Sequence, residues 1–304
     1  MSKKIKKAII SLSDKSEIKL ILNTLKKYRV NLISSGGTSK EIRKLGYKCT
    51  EVSEYTNADE ILDGRVKTLH PKLYAGILSK RENKIHKKQL KKNNYNEIDL
   101  VVVNFYPFEE TLKITKDQNK LIENIDIGGP TLVRAAAKNY KYTTVLTSPL
   151  QYEEFILDLE KNNGATSLEF RKKLSQEAFN LTAYYDSVIS EYLNIKNNVH
   201  FPQKKTIHGN LIGVLRYGEN PHQQSAIYSR YNDLDISQLS GKKLSYNNYN
   251  DIYAALSISK TLPKNIGTVI IKHANPCGVS VNNNKIESYK EALACDPISA
   301  FGGI

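Results

Sequence analysis

Residues 34–39, with the sequence SSGGTS, combine the residue types that bind phosphate groups. They follow an apolar run and precede a helix-like segment, so the glycines allow a tight turn and the first helical amides point outward. Ser35, Gly37 and Thr38 are the candidate binding residues. The segment predicts a phosphate cradle, with an ordinary strand-to-helix turn capped by Ser or Thr as the alternative.

Polar side chains also stand at the ends of two other apolar runs, residues 8–12 and 100–105. These side chains are Ser11, Ser13, Lys15, Asn104 and Tyr106. In an open parallel sheet, ligands collect outside the carboxyl ends of the strands. The placement predicts that these residues share one ligand with the SSGGTS segment.

Residues 63–71, DGRVKTLHP, bring two cations close together. Arg65 and Lys67 lie on the same side of an extended segment because side chains alternate with a period of two. Such a pair can hold a phosphate or carboxamide oxygen, and a partly desolvated lysine can exchange a proton. A solvated basic loop is the alternative. His70 is expected to form a packing or hydrogen-bonding contact, because no second metal ligand lies at a suitable spacing.

Asp126 precedes a Gly-Gly-Pro sequence, residues 128–130, and a helix-like run. Proline suits the first turn of a helix, and the glycine amides are expected to stay open to a bound oxygen. Such amides can stabilise an oxyanion. A capping or turn carboxylate is the alternative for Asp126. Each of these loops alone is weak evidence for a functional site. Their common position at one edge of the predicted sheet is what predicts the site.

Two segments near the carboxyl end are also rich in reactive groups. Residues 215–223 form a polar and aromatic loop, and Lys272 and His273 end a predicted strand. A histidine beside a lysine can move protons near neutral pH. The Pro-Cys pair that follows resembles part of the zinc deaminase pattern, but Ser280 replaces its second cysteine. We therefore predict no catalytic zinc.

Alternating strand-like and helix-like segments predict a doubly wound α/β sheet for the first part of the chain. The predicted strands are residues 8–12, 30–33, 100–105, 143–146, 226–228 and 268–272. The predicted helices are residues 18–25, 39–45, 167–193, 251–260 and 286–294. The polar stretch 197–210 predicts a linker between a domain of residues 1–196 and one of residues 211–304.

Composition narrows the classes of function. The 304 residues carry 45 Lys+Arg and 31 Asp+Glu, a formal net charge of +14. The lysines are dispersed without interleaved aromatic residues, which favours a solvated surface, with a nucleic-acid-binding protein as the alternative. Three cysteines without C-x-x-C spacing argue against a disulfide framework and structural zinc. The apolar runs are far shorter than the ~20 residues of a membrane span.

These motifs occur in the order and approximate spacing of one enzyme family. The segments are residues 11–15, 34–38, 64–71, 104–108, 126–130, 135–139, 216–223 and 272–278. Over residues 7–304, the chain resembles the bifunctional phosphoribosylaminoimidazolecarboxamide (AICAR) formyltransferase/IMP cyclohydrolases of purine biosynthesis. The resemblance implies a methylglyoxal-synthase-like α/β domain, followed by the beginning of a cytidine-deaminase-like formyltransferase domain without catalytic zinc.

The resemblance also implies roles for individual residues. Lys67, Tyr106 and Asp126 are implied to surround the reacting formamide and carboxamide as formyl-AICAR closes to IMP with loss of water. The implied nucleotide and phosphate site consists of Ser11, Ser13, Lys15, Ser35, Gly37, Thr38, Arg65, Thr68, Ile127 and Gly128, beside Asn104 at the same sheet edge. Lys272 and His273 match the pair that handles protons during formyl transfer. Arg216, Tyr217 and Asn248 match substrate-contacting positions.

The implied ligands are AICAR, formyl-AICAR and IMP, with 10-formyltetrahydrofolate as co-substrate and no metal for cyclisation. A cytosolic location is expected, and a homodimer for the full-length enzyme. The family continues beyond the Phe-Gly-Gly stretch at residues 301–303, so we expect cyclisation, with formyl transfer absent or severely impaired. A non-catalytic nucleotide- or phosphate-binding regulatory module is the alternative, which the trio of Lys67, Tyr106 and Asp126 disfavours.

Overall fold

A computed structural model describes residues 3–230, 234 and 236–304. The chain divides into two units, Met1–Thr206 and Ile207–Ile304. The division falls inside the segment 197–210, whose limits as a linker stay a prediction. The first unit is built on a parallel sheet, and the second contains two antiparallel strand pairs.

Five of the strands in the first unit form one parallel sheet. The strands of this unit are β1 Lys3–Lys4, β2 Lys7–Ser11, β3 Asn31–Ser34, β4 Thr50–Glu51, β5 Leu100–Val103, β6 Thr144–Leu146 and β7 Ala165–Thr166. The sheet has the order β4-β3-β2-β5-β6, and β1 pairs antiparallel with β7. Because β3 and β5 lie on opposite sides of β2, the strand order reverses there, which is where α/β sheets bind ligands. The predicted α/β class is confirmed.

Ten helices connect these strands within the described part of the first unit. They are α1 Ile18–Lys27, α2 Gly36–Lys44, α3 Val52–Thr56, α4 Pro71–Leu78, α5 Lys84–Lys92, α6 Phe108–Ile114, α7 Gln118–Glu123, α8 Gly128–Lys138, α9 Tyr152–Lys161 and α10 Leu168–Lys196. Short 3-10 helices span Leu62–Gly64 and Pro149–Gln151. The long predicted helix is confirmed as α10, which begins where the Ser167 hydroxyl accepts a hydrogen bond from Phe170 N at 3.1 Å.

The two central strands are buried on both faces. Ile9 and Ile10 in β2 are 0% exposed, and each residue of β5 is at most 1% exposed. Burial on both faces explains why these strands are continuous apolar runs rather than alternating ones. The strand predicted for residues 100–105 ends at Val103, because the Asn104 side chain hydrogen-bonds the loop after β2.

A buried ion pair fixes the amino ends of β2 and β5. Arg81 pairs with Asp99, and both side chains are 6% exposed. Asp99 Oδ2 also accepts hydrogen bonds from the backbone amides of Lys6 at 2.8 Å and Lys7 at 3.1 Å. A buried charge is tolerated only when it is paired and hydrogen-bonded, so these contacts specify the relative position of the two strands.

The second unit has two helices and four strands among its described residues. They are β8 Asn210–Val214, β9 Ala226–Ser229, α11 Tyr246–Ser259, β10 Gly267–Lys272, β11 Asn275–Val281 and α12 Lys285–Cys295. β8 pairs antiparallel with β9, and β10 with β11. Helix α11 begins at Tyr246 rather than at residue 251, because Ser245 and Asn248 form a capping box there. The cytidine-deaminase-like class of this unit stays a prediction.

Within the described ranges, no helix is both long enough and apolar enough to cross a bilayer. In the same residues, no group of three or more His, Cys, Asp or Glu side chains is arranged to hold a metal ion. The three cysteines, Cys49, Cys277 and Cys295, are free thiols.

Candidate active site

A cleft of about 640 Å³ opens at the carboxyl edge of β2, β3 and β5. This volume lies within the range of small-molecule sites. All the binding and catalytic residues predicted in the first unit line it: Ser11, Ser13, Lys15, Ser35, Gly37, Thr38, Arg65, Lys67, Thr68, Asn104, Tyr106, Asp126, Ile127 and Gly128. The shared edge predicted from the ends of the apolar runs is therefore present, and it brings together loops from five places in the sequence.

Asn104 fastens the loop after β2. Its Oδ1 accepts hydrogen bonds from Ser13 N at 2.7 Å and Asp14 N at 3.2 Å, and its Nδ2 donates to Asp14 O at 2.7 Å. The side-chain amide is thus largely engaged within the protein. Asn104 lines the cleft as predicted, but its hydrogen bonds position the Ser13 segment.

The SSGGTS segment offers a smaller cradle than its sequence predicts. Glu51 Oε1 accepts a hydrogen bond from Gly36 N at 3.0 Å, so one of the helix amides is already occupied. The Thr38 hydroxyl accepts from Leu12 N at 2.9 Å and donates to Leu12 O at 3.0 Å. The groups left to bind a ligand are the next amides of α2 and the Ser35 hydroxyl, which is buried without a partner in the described structure.

Two lysines converge on this turn. Gly36 has a φ of +54°, and a methyl group added there would lie 3.3 Å from Lys67 Nζ. A methyl group added at Gly37 would lie 3.9 Å from Lys15 Nζ. The absence of side chains at the two glycines therefore lets two ammonium groups approach the amides of α2. Amides and ammonium groups at one helix N-terminus form an anion site.

Asp126 lies two residues before α8 and lines the same cleft. Its Oδ1 accepts a hydrogen bond from Gly129 N at 2.8 Å, and its Oδ2 accepts a longer one from Tyr106 N at 3.4 Å. Burial raises the pKa of Asp126 above its ordinary value, against the lowering effects of these two amides and the Lys67 charge. The carboxyl therefore caps α8, as in the alternative interpretation, and also sits where it can exchange a proton.

The amino end of α8 is tightly packed. A methyl group added at Gly128 would lie 2.5 Å from Thr68 Oγ1, and one at Gly129 would lie 2.6 Å from Asp126 Oδ2. The prediction that both glycine amides stay open was wrong for Gly129, because Asp126 accepts its hydrogen bond. Tyr106 and Ile127 stand at the rim and are 42% and 56% exposed.

An ion pair that sequence reasoning missed joins two sides of the cleft. Arg65 NH2 pairs with Glu123 Oε1, and Glu123 is the last residue of α7. The only signal in the sequence is a carboxylate three residues before Asp126. Arg65 is therefore already neutralised by the protein in this structure, with both side chains largely exposed.

The predicted residues of the second unit gather around the first turns of α11. Arg216 donates to Tyr217 OH at 2.9 Å and lies over that ring, and Tyr246 N donates to Tyr217 O at 3.2 Å. The Asn248 side chain accepts from Ser245 N at 3.0 Å, so it caps α11 rather than facing outward.

Lys272 and His273 lie beside the same helix. β10 ends at Lys272, and His273 and Ala274 form the two-residue turn to β11 with φ of 52° and 58°. Ala274 N donates to Asp251 Oδ1 at 2.7 Å, which ties the turn to α11 one helical turn beyond Asn248. The prediction that the Lys-His pair stands at the end of a strand is confirmed.

The fold defines the first unit as a methylglyoxal-synthase-like (MGS-like) α/β domain, with a cleft at the carboxyl edge of its sheet. In agreement, residues 17–131 match the family model of the MGS-like domain. Residues 136–304 match the family model of the AICARFT/IMPCHase bienzyme. The chain belongs to this bienzyme family.

Curated relatives and a solved structure agree with this assignment. The bifunctional purine biosynthesis protein PurH of Persephonella marina is 45% identical over 307 residues, which is 98% of this chain and 59% of that protein. PurH of Rippkaea orientalis is 46% identical over 309 residues, covering 98% and 60%. The crystal structure of ForH is 28% identical with a TM-score of 0.56, and the match covers 62% of this chain and 99% of that one. The chain thus spans about 60% of the length of these two curated relatives.

Proposed function

We propose that the first unit cyclises formyl-AICAR to IMP with loss of water. One observation carries this proposal: the Lys67 ammonium and the half-buried Asp126 carboxyl line one cleft, beside the proposed anion site at α2 and Lys15. A sensor of phosphate needs the anion site alone. The added acid–base pair gives the cleft the groups that an addition and dehydration require.

The nucleotide phosphate is proposed to bind at the turn before α2. Lys15 supplies positive charge, and the amides of Gly37 and Thr38 donate hydrogen bonds to the phosphate. The Ser35 hydroxyl, which has no partner within the described structure, forms a hydrogen bond with the phosphate. Ser11 and Ser13 line the same end of the cleft. Since the Thr38 hydroxyl and the Asn104 amide bind backbone groups, we assign to them the placement of these loops.

Cyclisation joins two groups of the same substrate, so orientation supplies much of the rate enhancement. The carboxamide nitrogen attacks the formyl carbon, and negative charge grows on the formyl oxygen. That oxygen leaves as water with one proton from the carboxamide nitrogen and one from the formamide nitrogen. Lys67 stabilises the charged oxygen, while Asp126 accepts a proton and Tyr106 assists its transfer.

The test is a cyclisation assay with purified chain and formyl-AICAR, run beside a transfer assay with AICAR and 10-formyltetrahydrofolate. We expect IMP to form well above the uncatalysed rate, without added metal and in the presence of a chelator. A rate equal to that of the buffer control would contradict the proposal. Tight binding of IMP without turnover would instead favour a regulatory module.

For the second unit, we propose a part in formyl transfer from 10-formyltetrahydrofolate to AICAR in the whole family protein. The support is the position of Lys272 and of the His273-Ala274 turn, which Asp251 ties to α11, the helix whose first turn adjoins Arg216 and Tyr217. The same proposal includes a homodimer and a cytosolic location. Formyl transfer that does not change in His273→Ala would contradict the assignment of that residue.

Removing the Glu123 carboxylate is expected to tighten nucleotide binding. Glu123 neutralises Arg65 at the cleft and repels an anionic ligand, and an exposed ion pair is weak enough to exchange. Glu123→Gln should lower the dissociation constant of IMP about two- to fivefold at low ionic strength, as measured by calorimetry. Screening should remove most of the difference at high salt.

The matched control is Glu160→Gln, which removes an exposed carboxylate paired with Lys27 at 2.7 Å outside the cleft lining. This variant should bind IMP like the wild type. Weaker binding in Glu123→Gln would mean that the carboxylate holds Arg65 in a ligand-binding position, contrary to the expectation.

A further inference from the structure

Tyr185 on α10 contacts the loop that carries Asp126. The Tyr185 hydroxyl accepts a hydrogen bond from Asp126 N at 2.9 Å and donates one to Asn124 O at 3.2 Å. These bonds span about 60 residues of sequence, so they connect the long helix directly to the edge of the cleft. Tyr185 itself does not line the cleft.

The Tyr185 ring contacts the second loop that meets at Asp126. Its centroid lies 5.1 Å from that of Phe105, and an edge-to-face contact to Phe108 lies at 6.5 Å. Phe105 precedes Tyr106, whose amide donates to the Asp126 carboxyl. With its side chain 8% exposed, Tyr185 therefore supports both backbone segments that hold this carboxyl.

We propose that Tyr185 is a positioning residue for Asp126, holding the carboxyl against the Tyr106 and Gly129 amides through two hydrogen bonds from α10. The catalytic part of this inference rests on the proposed cyclisation. The hydroxyl acts on the backbone of the loop, while the ring fixes the approach of the loop after β5. Loss of the hydroxyl frees the 124–126 segment and leaves the ring packing in place.

The surroundings of Asp126 give a way to observe this directly. The titratable groups that face it are Lys67 before α4, Tyr74 on α4, Tyr106 after β5 and Tyr185 on α10, with Asp186 next to Tyr185. Burial is the main reason that the pKa of Asp126 is raised. A loosened loop admits water, which lowers the pKa of Asp126, and weakens the two amide hydrogen bonds, which raises it, so the titration midpoint of Asp126 should shift in Tyr185→Phe.

The experiment compares Tyr185→Phe with Tyr184→Phe and wild type. Tyr184 is the matched control, because it lies on the same helix and its hydroxyl donates to Glu109 Oε2 at 2.8 Å instead of to the Asp126 loop. The Asp126 carboxyl is titrated by 13C NMR and assigned with Asp126→Asn. In parallel, kcat and KM for formyl-AICAR are measured for all three proteins.

We expect Tyr185→Phe alone to show a shifted Asp126 titration midpoint and a kcat reduced about tenfold, with KM changed less than about twofold. An unchanged midpoint in Tyr185→Phe, or the same change in Tyr184→Phe, overturns the inference. If wild type does not cyclise formyl-AICAR, the proposed function fails, and the carboxyl titration still decides whether Tyr185 positions Asp126.

Discussion

Lys67→Ala is expected to lower kcat for cyclisation of formyl-AICAR by about 10²–10³. Loss of one preorganised donor at a developing oxyanion has this size of effect. Lys67 Nζ lies beside Gly36, at the turn before α2, and its charge also acts on Asp126. No other lysine combines these two contacts within the described residues of the cleft lining.

The same substitution should change the pH dependence. The Lys67 charge lowers the pKa of Asp126, so removing it should raise that pKa further above its ordinary value. If the basic form of Asp126 is active, the acid limb of the kcat profile moves to higher pH in Lys67→Ala. Measuring both profiles separates the loss of the donor from a change in the protonation of Asp126.

Lys72→Ala is the control for the loss of a positive charge. The Lys72 ammonium lies over the Tyr55 ring at 4.8 Å and is absent from the cleft lining. This variant should retain kcat within about twofold, since a half-buried cation–π contact outside the cleft contributes to stability rather than to cyclisation. Equal turnover in Lys67→Ala and wild type would remove Lys67 from the mechanism.

The position of the cleft could be predicted from the ends of the apolar runs in the sequence. Ser11, Ser34 and Asn104 each stand where a buried parallel strand stops, and parallel strands end at one edge of a sheet. Residue types within these loops then predicted an anion site. The fold class followed from the same alternation of strand and helix patterns.

What the sequence did not reveal was how these side chains are used. Thr38 and Asn104 have the chemistry of ligand donors, yet their hydrogen bonds go to Leu12 and to the loop after β2. Glu51 occupies the Gly36 amide, which also explains why α2 begins three residues before the predicted position 39. Such partners lie 15 or more residues away, and a local pattern carries no information about them.

The turn between β10 and β11 in the second unit was missed for a similar reason. The hairpin between β10 and β11 turns at His273 and Ala274, both with positive φ, where Asn and Gly are the usual residues. The bond from Ala274 N to Asp251 compensates by fixing the turn on α11. Strand β11 was therefore not predicted. The position of Lys272 at the end of a strand was predicted.

Asp126→Asn is expected to lower kcat for cyclisation by about 10²-fold, because positioned proton-transfer groups contribute 10²–10⁴. Asparagine keeps the shape of the side chain and the oxygen that accepts from Gly129 N at 2.8 Å, but it cannot take up a proton. KM for formyl-AICAR should change less than about threefold, since the carboxyl is not among the groups assigned to the proposed phosphate cradle.

The pH profile tests the same role. Burial raises the pKa of Asp126, so wild-type kcat/KM should fall as the pH drops through this raised pKa, and the asparagine variant should lack that limb. Asp117→Asn is the control, because Asp117 caps α7 through Asn119 N at 3.0 Å and lies outside the cleft lining. A profile with the same acid limb in Asp126→Asn would assign the limb to another group.

The Asp126→Asn substitution should lower activity but, as the pH rises, increase the stability of the protein relative to wild type. A carboxyl whose pKa is higher in the folded state favours folding below its unfolded pKa, and this contribution is lost as the pH rises through the folded pKa. The unfolding free energy of Asp126→Asn, relative to wild type, should therefore increase between about pH 3 and pH 7. Denaturant unfolding at the two pH values measures it. A variant that is both inactive and less stable at pH 7 would indicate that the carboxyl serves mainly to cap α8.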